Sequence, residues 1–103
     1  MALKGTFSFH RVERRIPMEI PVVLDGHRNT PGSESTFTEN VSARGARVVS
    51  ARRWVKGESL TLASRTGEFR SSARVAYCQP LHGDGYAIGV EFLEPTGRWV
   101  VQS

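Results

Sequence analysis

Apolar and polar residues alternate along several short segments of the chain. The clearest segment lies near the C-terminus, where Ile88, Val90 and Phe92 alternate with small or charged residues. Another contains Leu60 and Leu62, which are separated by one threonine. A period of two places every second side chain on the same face of a β-strand. These segments therefore predict strands with one face in a core and the other in solvent.

Glycine and proline residues separate the alternating segments. Turn signals occur at Asp25-Gly26, Thr66-Gly67 and Gly83-Asp84-Gly85. We predict six strands, at residues 16–24, 35–41, 46–50, 58–63, 69–77 and 86–93. The first contains Pro17 and Pro21, which is typical of an edge strand because proline has no amide hydrogen to donate. Six short strands at this spacing indicate an all-β sandwich or barrel.

The length of 103 residues fits one domain with one core. No apolar run reaches the roughly 18 residues of a membrane helix, and residues 1–10 lack the apolar stretch of a signal peptide, so we expect a cytoplasmic protein.

With Cys78 as the single cysteine and three scattered histidines, we expect neither a disulfide nor a metal site. Because no nucleophile is paired with a base, we do not expect an enzyme.

Arginine dominates the positive charge of the chain. Twelve of the fourteen basic residues are arginine, and the net charge is +4. The planar guanidinium group forms bidentate hydrogen bonds with phosphate and with the O6 and N7 edge of guanine, which lysine does not match. A phosphate-bearing ligand fits this composition. A GC-rich genome would produce the same surplus, so composition alone does not decide between these interpretations.

Arg11 and Arg15 form an Arg-x-x-x-Arg motif ahead of the first predicted strand. Ile16 precedes a proline and must be extended. Residues four apart in an extended chain are about 13 Å apart, so both guanidinium groups reach one small ligand only if the arm curls. We therefore expect an arm that becomes ordered on binding.

The same spacing recurs at Arg70 and Arg74, inside the fifth predicted strand. Alternation there places Phe69, Val75 and Tyr77 on one face and the two arginines on the opposite, solvated face. We therefore interpret this second pair as ordinary surface side chains.

An Asn-x-Ser-x-x-Gly motif occurs at Asn40, Ser42 and Gly45. The asparagine amide donates and accepts, the serine hydroxyl rotates to suit its partner, and glycine permits a positive φ or a close approach of a ligand. Together these groups can read the polar edge of a guanine. An ordinary corner between two strands has the same composition and is the alternative for this motif taken alone.

The two motifs, in this order and each followed by a β-like run, resemble the ligand signature of the PilZ domain family, bacterial receptors for cyclic di-GMP. The likeness extends to residues 57–62, 73–77 and 89–92. It implies an all-β fold: a six-stranded antiparallel β-barrel of the split-barrel type, with a flexible N-terminal arm and at most a short C-terminal helix. Within a single domain of residues 1–103, we expect the arm at 1–15, the barrel at 16–94 and the tail at 95–103.

The resemblance also implies roles for individual residues. Arg11 and Arg15 would hold phosphate and guanine edges of cyclic di-GMP. Asn40, Ser42 and Gly45 would contact a guanine base. The candidate helpers, by position, are His10, Arg14 and Arg44. Cyclic di-GMP is then a ligand, and no cofactor is expected.

Three positions depart from the usual family pattern. Asn40 offers one carbonyl oxygen where an aspartate would accept from both the N1 and N2 hydrogens of guanine. His10, directly before the first arginine, leaves open whether one ligand or a stacked pair binds. Pro95 and Gly97 disfavour a long C-terminal helix, so we expect Trp99 to cover an end of the barrel.

We therefore expect a non-enzymatic receptor that binds cyclic di-GMP and, by ordering its arm, changes its interaction with a downstream protein partner. One alternative is a degenerate adaptor of the same family that binds protein and no ligand. Another is a small nucleic-acid-binding barrel, which would need aromatic residues interleaved with arginines on one strand face. The intact motifs favour the receptor.

Overall fold

The computed structural model describes residues 14–102, and all regular structure in them is β. The strands are β1 (Ile16–Pro17), β2 (Pro21–Asp25), β3 (Glu34–Ser42), β4 (Gly45–Ser50), β5 (Ser59–Ser64), β6 (Phe69–Pro80), β7 (Tyr86–Phe92) and β8 (Thr96–Gly97). Among these residues there is no helix of the length and hydropathy needed to span a lipid bilayer.

The six longer strands form a closed antiparallel ring. Their order is β3, β2, β5, β6, β7, β4, and β4 pairs back with β3. The two-residue strands add to this ring, β1 beside β3 and β8 beside β6. The predicted six-stranded antiparallel β-barrel is confirmed.

The prediction of an edge strand at residues 16–24 is wrong. This segment divides into β1 and β2, and β2 pairs with β3 on one side and β5 on the other. The prolines are accommodated at strand ends, since Pro17 is the last residue of β1 and Pro21 the first of β2. A proline at such an end costs the strand little, because its missing N–H is not needed inside a ladder.

One hydrophobic core fills the barrel. Its buried side chains are Val22, Leu24, Val41, Ala46, Val48, Trp54, Leu60, Leu62, Phe69, Ala73, Val75, Ile88, Val90, Phe92 and Trp99. In β7, Ile88, Val90 and Phe92 are buried and Glu91 is exposed, as predicted, whereas Ala87 and Gly89 of the opposite face are buried as well. The ring of strands thus encloses the apolar faces and leaves the polar faces in water.

A buried tryptophan lies near each end of β4. Near its start, Trp99 packs on Phe69 and Phe92, with ring centroids 4.7 and 5.1 Å away. Near its end, Trp54 donates its indole N–H to Ser50 Oγ at 3.1 Å. A buried indole satisfies its donor in this way while contributing a large apolar surface. The expectation that Trp99 covers an end of the barrel is confirmed.

The C-terminal tail contains no helix in residues 95–102. Thr96 and Gly97 instead form β8 against β6. Gly97 has a φ of 89°, and a Cβ at this position would collide with the Glu68 carbonyl oxygen. The close approach of the two backbones therefore favours an added strand over a helix.

Strand β6 contains an irregularity that alternation did not predict. The register against β7 shifts between Val75 and Tyr77, so that Val75 pairs with Val90 and Tyr77 pairs with Gly89. One extra residue in a strand reverses the direction of the side chains that follow it. Tyr77 therefore lies on the outer face, contrary to the prediction, and its ring covers Gly89.

The contact between Tyr77 and Gly89 predicts a coupled pair. A Cβ at position 89 would collide with the Tyr77 ring, so we expect Gly89→Ala to lower the free energy of unfolding by about 1–3 kcal/mol in chemical denaturation. In a Tyr77→Ala background, the same substitution should cost at least about 1 kcal/mol less. Equal costs in the two backgrounds would show that the ring does not lie over Gly89.

Candidate ligand-binding site

The second sequence motif lies where β3 turns into β4. Asn40 and Ser42 are at the end of β3, Gly45 begins β4, and residues 43–44 form the turn. Ser42 pairs with Gly45, and Ser42 Oγ donates to the Gly45 carbonyl oxygen at 3.3 Å. The corner is therefore a tight hairpin that two motif residues close.

Strand β1 brings the first motif to the second. Ile16 pairs with Val41 and Pro17 with Asn40, so the chain enters the barrel beside the hairpin. Arg15 Nη1 donates to Asn40 Oδ1 at 2.9 Å across 25 residues of sequence. Arg15 is exposed and Asn40 is half-buried. A guanidinium from one motif and an amide from the other thus meet at the surface.

A buried hydroxyl fixes the segment that follows Arg15. Thr38 Oγ1 donates to the Met18 carbonyl at 2.7 Å and accepts from the Ile20 N–H at 2.8 Å. Thr38 is fully buried, so both backbone groups find a partner away from water. Between β1 and β2 this side chain acts together with two backbone hydrogen bonds, from the Met18 N–H to the Glu39 carbonyl at 3.3 Å and from the Thr38 N–H to the Ile20 carbonyl at 3.0 Å. Together they hold the segment that follows Arg15 beside β3.

Gly45 is required by the barrel itself. Its φ is not positive, contrary to one role considered for it. A Cβ at this position would collide with the Val90 carbonyl oxygen of β7. Ser42 is also fully buried, and its carbonyl oxygen accepts the Trp99 indole N–H at 2.8 Å. Of the three motif residues, Asn40 is the accessible one, whereas the other two belong to the scaffold around it.

The exposed arginines near this corner keep their positive charge unpaired within residues 14–102. Arg14 and Arg15 precede β1, and Arg44 lies in the β3–β4 turn. The salt bridges in this range join Arg28 to Glu58, Arg47 to Glu39 and Arg74 to Glu91. Because none of them involves the three arginines at the corner, this surface attracts anions. Arg11 and His10 lie outside the described residues.

Arg47 is a neighbour of Asn40 that the motifs did not include. The two residues pair directly across β3 and β4. The Arg47 guanidinium donates to Glu39 at 2.7 Å, to Tyr77 Oη at 3.1 Å and to Gln79 at 3.0 Å. Hydrogen bonds to Tyr77 and Glu39 raise the pKa of Arg47 above its ordinary value. The outward direction of Arg47 could be predicted from alternation, but its contact with Tyr77 depends on the irregularity in β6.

The second Arg-x-x-x-Arg pair has the surface character that we predicted. Arg70 and Arg74 are both exposed on β6, and Arg74 forms a salt bridge with Glu91 at 2.7 Å. Neither makes a hydrogen bond to Asn40 among the described residues. Within residues 14–102, no three side chains among histidine, cysteine, aspartate and glutamate are grouped to hold a metal ion.

Comparison with known proteins agrees with this architecture. The pattern of the PilZ domain matches residues 9–98, which is most of the chain. The chain belongs to the PilZ domain family. Among solved structures, the fold is similar to that of the inhibitor of motility MotI/DgrA of Bacillus subtilis, with a TM-score of 0.66 and 23% sequence identity.

The similarity to MotI/DgrA is a similarity of domains. It covers 84% of this chain and 44% of the Bacillus protein, so the PilZ chain described here spans less than half the length of that neighbour. At this identity the likeness establishes the barrel. No curated protein sequence matches the chain.

The burial of Gly45 predicts an effect on stability that needs no ligand. A Cβ would collide with backbone on β7, so we expect Gly45→Ala to lower the free energy of unfolding by about 1–3 kcal/mol in urea denaturation. Ser35→Ala, at an exposed position of β3, is the control and should change stability by less than about 0.5 kcal/mol. An unchanged stability of Gly45→Ala would contradict the assigned contact.

Proposed function

We propose that this PilZ domain is a non-enzymatic receptor that binds cyclic di-GMP at the surface formed by Arg15, Asn40 and the β3–β4 turn. The observation that carries the proposal is the hydrogen bond of 2.9 Å between Arg15 and Asn40, which joins the two motifs in space. Arginine suits phosphate and guanine edges, and the asparagine amide suits the polar edge of a base.

Ligand binding at this surface is an exchange of hydrogen bonds. In the structure, Asn40 Oδ1 accepts from Arg15. The same carbonyl oxygen would accept the N1 or N2 hydrogen of guanine, and the released guanidinium would pair with a phosphate or a base edge. An exposed hydrogen bond contributes little to stability because water competes for both groups, so its loss is a small cost to binding.

The remaining motif residues take different roles in the proposal. Arg11 supplies the second guanidinium group of the arm, with His10 and Arg14 next to the two motif arginines in sequence. Ser42 and Gly45 shape the hairpin, and a ligand reaches the buried Ser42 hydroxyl only when the atoms that cover it move aside. Arg44 adds positive charge at the turn. Arg47 already donates to three partners, so we assign it to holding the outer face of β4.

The signal would leave the domain through the arm. Closing Arg11 and Arg15 around a ligand would order the chain ahead of β1 and present a new surface to a downstream protein partner. The same proposal implies a cytoplasmic location, since a second messenger is made and sensed inside the cell. The degenerate adaptor that binds only protein is the alternative, and it predicts no binding of cyclic di-GMP.

The nucleic-acid-binding alternative finds less support. It requires aromatic rings between arginines on one exposed strand face. On β6, which comes closest in sequence, Phe69 is buried with Val75, whereas Arg70 and Arg74 point outward. Tyr77 is the one aromatic side chain that β6 places outside. Its ring lies over Gly89, and the Arg47 guanidinium carbon is 5.7 Å from the ring centroid, so the ring is already in contact with other parts of the barrel.

Isothermal titration tests the receptor directly. We expect saturable binding of cyclic di-GMP at micromolar or tighter affinity, and no comparable binding of cyclic di-AMP, which has the same phosphates but lacks the donor edge of guanine. Arg11→Ala, Arg15→Ala and Asn40→Ala should each weaken binding at least tenfold, about 1.4 kcal/mol. Arg70→Ala, an exposed arginine on β6, is the matched control and should bind normally.

Two results would contradict this assignment. An Arg70→Ala effect equal to that of Arg15→Ala would show that the site lies elsewhere. No heat with cyclic di-GMP, from protein shown to be folded, would favour the protein-binding adaptor.

The dependence of affinity on salt separates a dinucleotide from a nucleic acid. Cyclic di-GMP carries two phosphates, so a plot of log affinity against log salt should have a slope no steeper than about −2. A short single-stranded oligonucleotide is the comparison ligand. Tight oligonucleotide binding with a slope of about −5 would instead support the nucleic-acid-binding barrel.

A further inference from the structure

A groove of about 430 Å³ lies at the Trp54 end of the barrel, where β4 ends. Trp54, Cys78, Pro80 and Tyr86 line it, and we call these four residues its floor. β4 runs from Gly45 at the motif corner to Ser50 at this end, which is about 16 Å at 3.3 Å per residue. The groove is therefore separate from the motif residues, and a molecule in it would leave Asn40 and Arg15 accessible.

The loop beside the groove is held rigidly. The Trp54 indole donates to Ser50 Oγ at 3.1 Å, and the His27 ring lies edge-on to the Trp54 ring at 4.5 Å. The Val55 N–H donates to Glu58 Oε1 at 2.7 Å, and the Glu58 carbonyl oxygen accepts the Val75 N–H at 2.9 Å. A rigid loop loses little entropy when a partner binds, which favours affinity.

This rigid loop presents an apolar side chain to solvent. Val55 is 60% exposed, the highest value among the large hydrophobic side chains of the described residues that are exposed. It lines the groove next to Trp54, which is buried. An exposed valine beside an apolar floor is the arrangement expected of a docking site for an apolar side chain.

The charge around the groove is positive. Arg53 and Lys56 line it, and no acidic residue does. Two carboxylates accept from the loop backbone: Glu34 accepts the Ala51 N–H at 2.6 Å, and Glu58, which also pairs with Arg28 at 3.7 Å, accepts the Val55 N–H. The salt bridges among residues 14–102 include neither Arg53 nor Lys56. These two cations remain available for carboxylates of a partner.

We propose that this groove, which we call the Trp54 groove, binds a segment of a partner protein in which acidic residues flank one apolar side chain. The apolar side chain would contact Val55 and the floor, and the flanking carboxylates would pair with Arg53 and Lys56. Two lining cations match a short acidic segment better than a nucleic acid, whose affinity depends on many phosphate contacts. A concave floor with a single exposed valine also fits a peptide better than a membrane surface.

The test uses a displayed library of random 12-residue peptides, selected against the whole chain. Binders that also recognise the double variant Arg53→Glu, Lys56→Glu are removed. We expect the remaining sequences to be acidic with one apolar anchor. Synthetic copies should bind at least tenfold more weakly to the double variant and to Val55→Asp. Arg65→Glu, an exposed arginine in the β5–β6 turn, is the matched charge control and should bind within twofold of the parent.

The two tryptophans locate the bound peptide within one NMR spectrum. The Trp54 indole N–H lies at the groove and the Trp99 indole N–H bonds to Ser42 at the motif corner. A peptide in the Trp54 groove should shift the Trp54 signal and leave the Trp99 signal in place.

The proposal would be overturned by any of three results. One is a peptide selection in which no selected sequence needs Arg53, Lys56 or Val55 for binding. Another is a shift of Trp99 instead of Trp54. The third is a single-stranded oligonucleotide, or vesicles of anionic phospholipid, that competes for the groove more tightly than the selected peptides. None of these results depends on whether the motif corner binds cyclic di-GMP.

Discussion

The pairing of β3 with β4 is the constraint on which the rest of the structure depends. It closes the barrel, because these two strands lie at opposite ends of the order in which the other strands pair. The same pairing places Asn40 on the outer face opposite Arg47 and directs Val41 and Ala46 into the core. Since β1 pairs with the end of β3, it also decides where Arg15 enters. The pairing that closes the barrel therefore also fixes the geometry of the candidate site.

Scaffold and site share residues at the hairpin, which changes how substitutions there should be interpreted. Gly45 packs on the Val90 carbonyl, and Ser42 supplies the carbonyl that accepts the Trp99 indole. The glycine at position 45 follows from the barrel even if no ligand ever binds. The Trp99 contact uses a backbone carbonyl that any residue at position 42 would supply, so the feature specific to serine is the buried hydroxyl that donates to the Gly45 carbonyl oxygen. Arg15 and Asn40 are different, because their side chains meet at the surface and no core contact requires them. Loss of binding on substitution is therefore informative at these two positions and ambiguous at the other two.

Alternation and turn residues predicted the strands well because both signals are local. The bounds of β7 and the burial of Ile88 follow directly from the sequence. The outward turn of Tyr77 does not, since one extra residue against β7 has no sequence mark of its own. The contact between Arg15 and Asn40 was equally hidden, because it depends on a long-range pairing and on the hydroxyl of Thr38. The pairing of the tail with β6 as β8 was also hidden, because it depends on a close backbone contact between Gly97 and Glu68, which are distant in sequence.

A closed barrel limits how a signal can cross it. Each ring strand is hydrogen-bonded on both sides, so a shift of β4 from the motif corner toward the Trp54 groove would break pairings with β3 and β7 together. A shift of β1 would break fewer pairings, since β1 is two residues long and pairs with β3 alone. A ligand at the corner should therefore act on the arm and leave the barrel unchanged. A partner held in the Trp54 groove would then stay bound in both states, and the messenger would change what the arm does beside it.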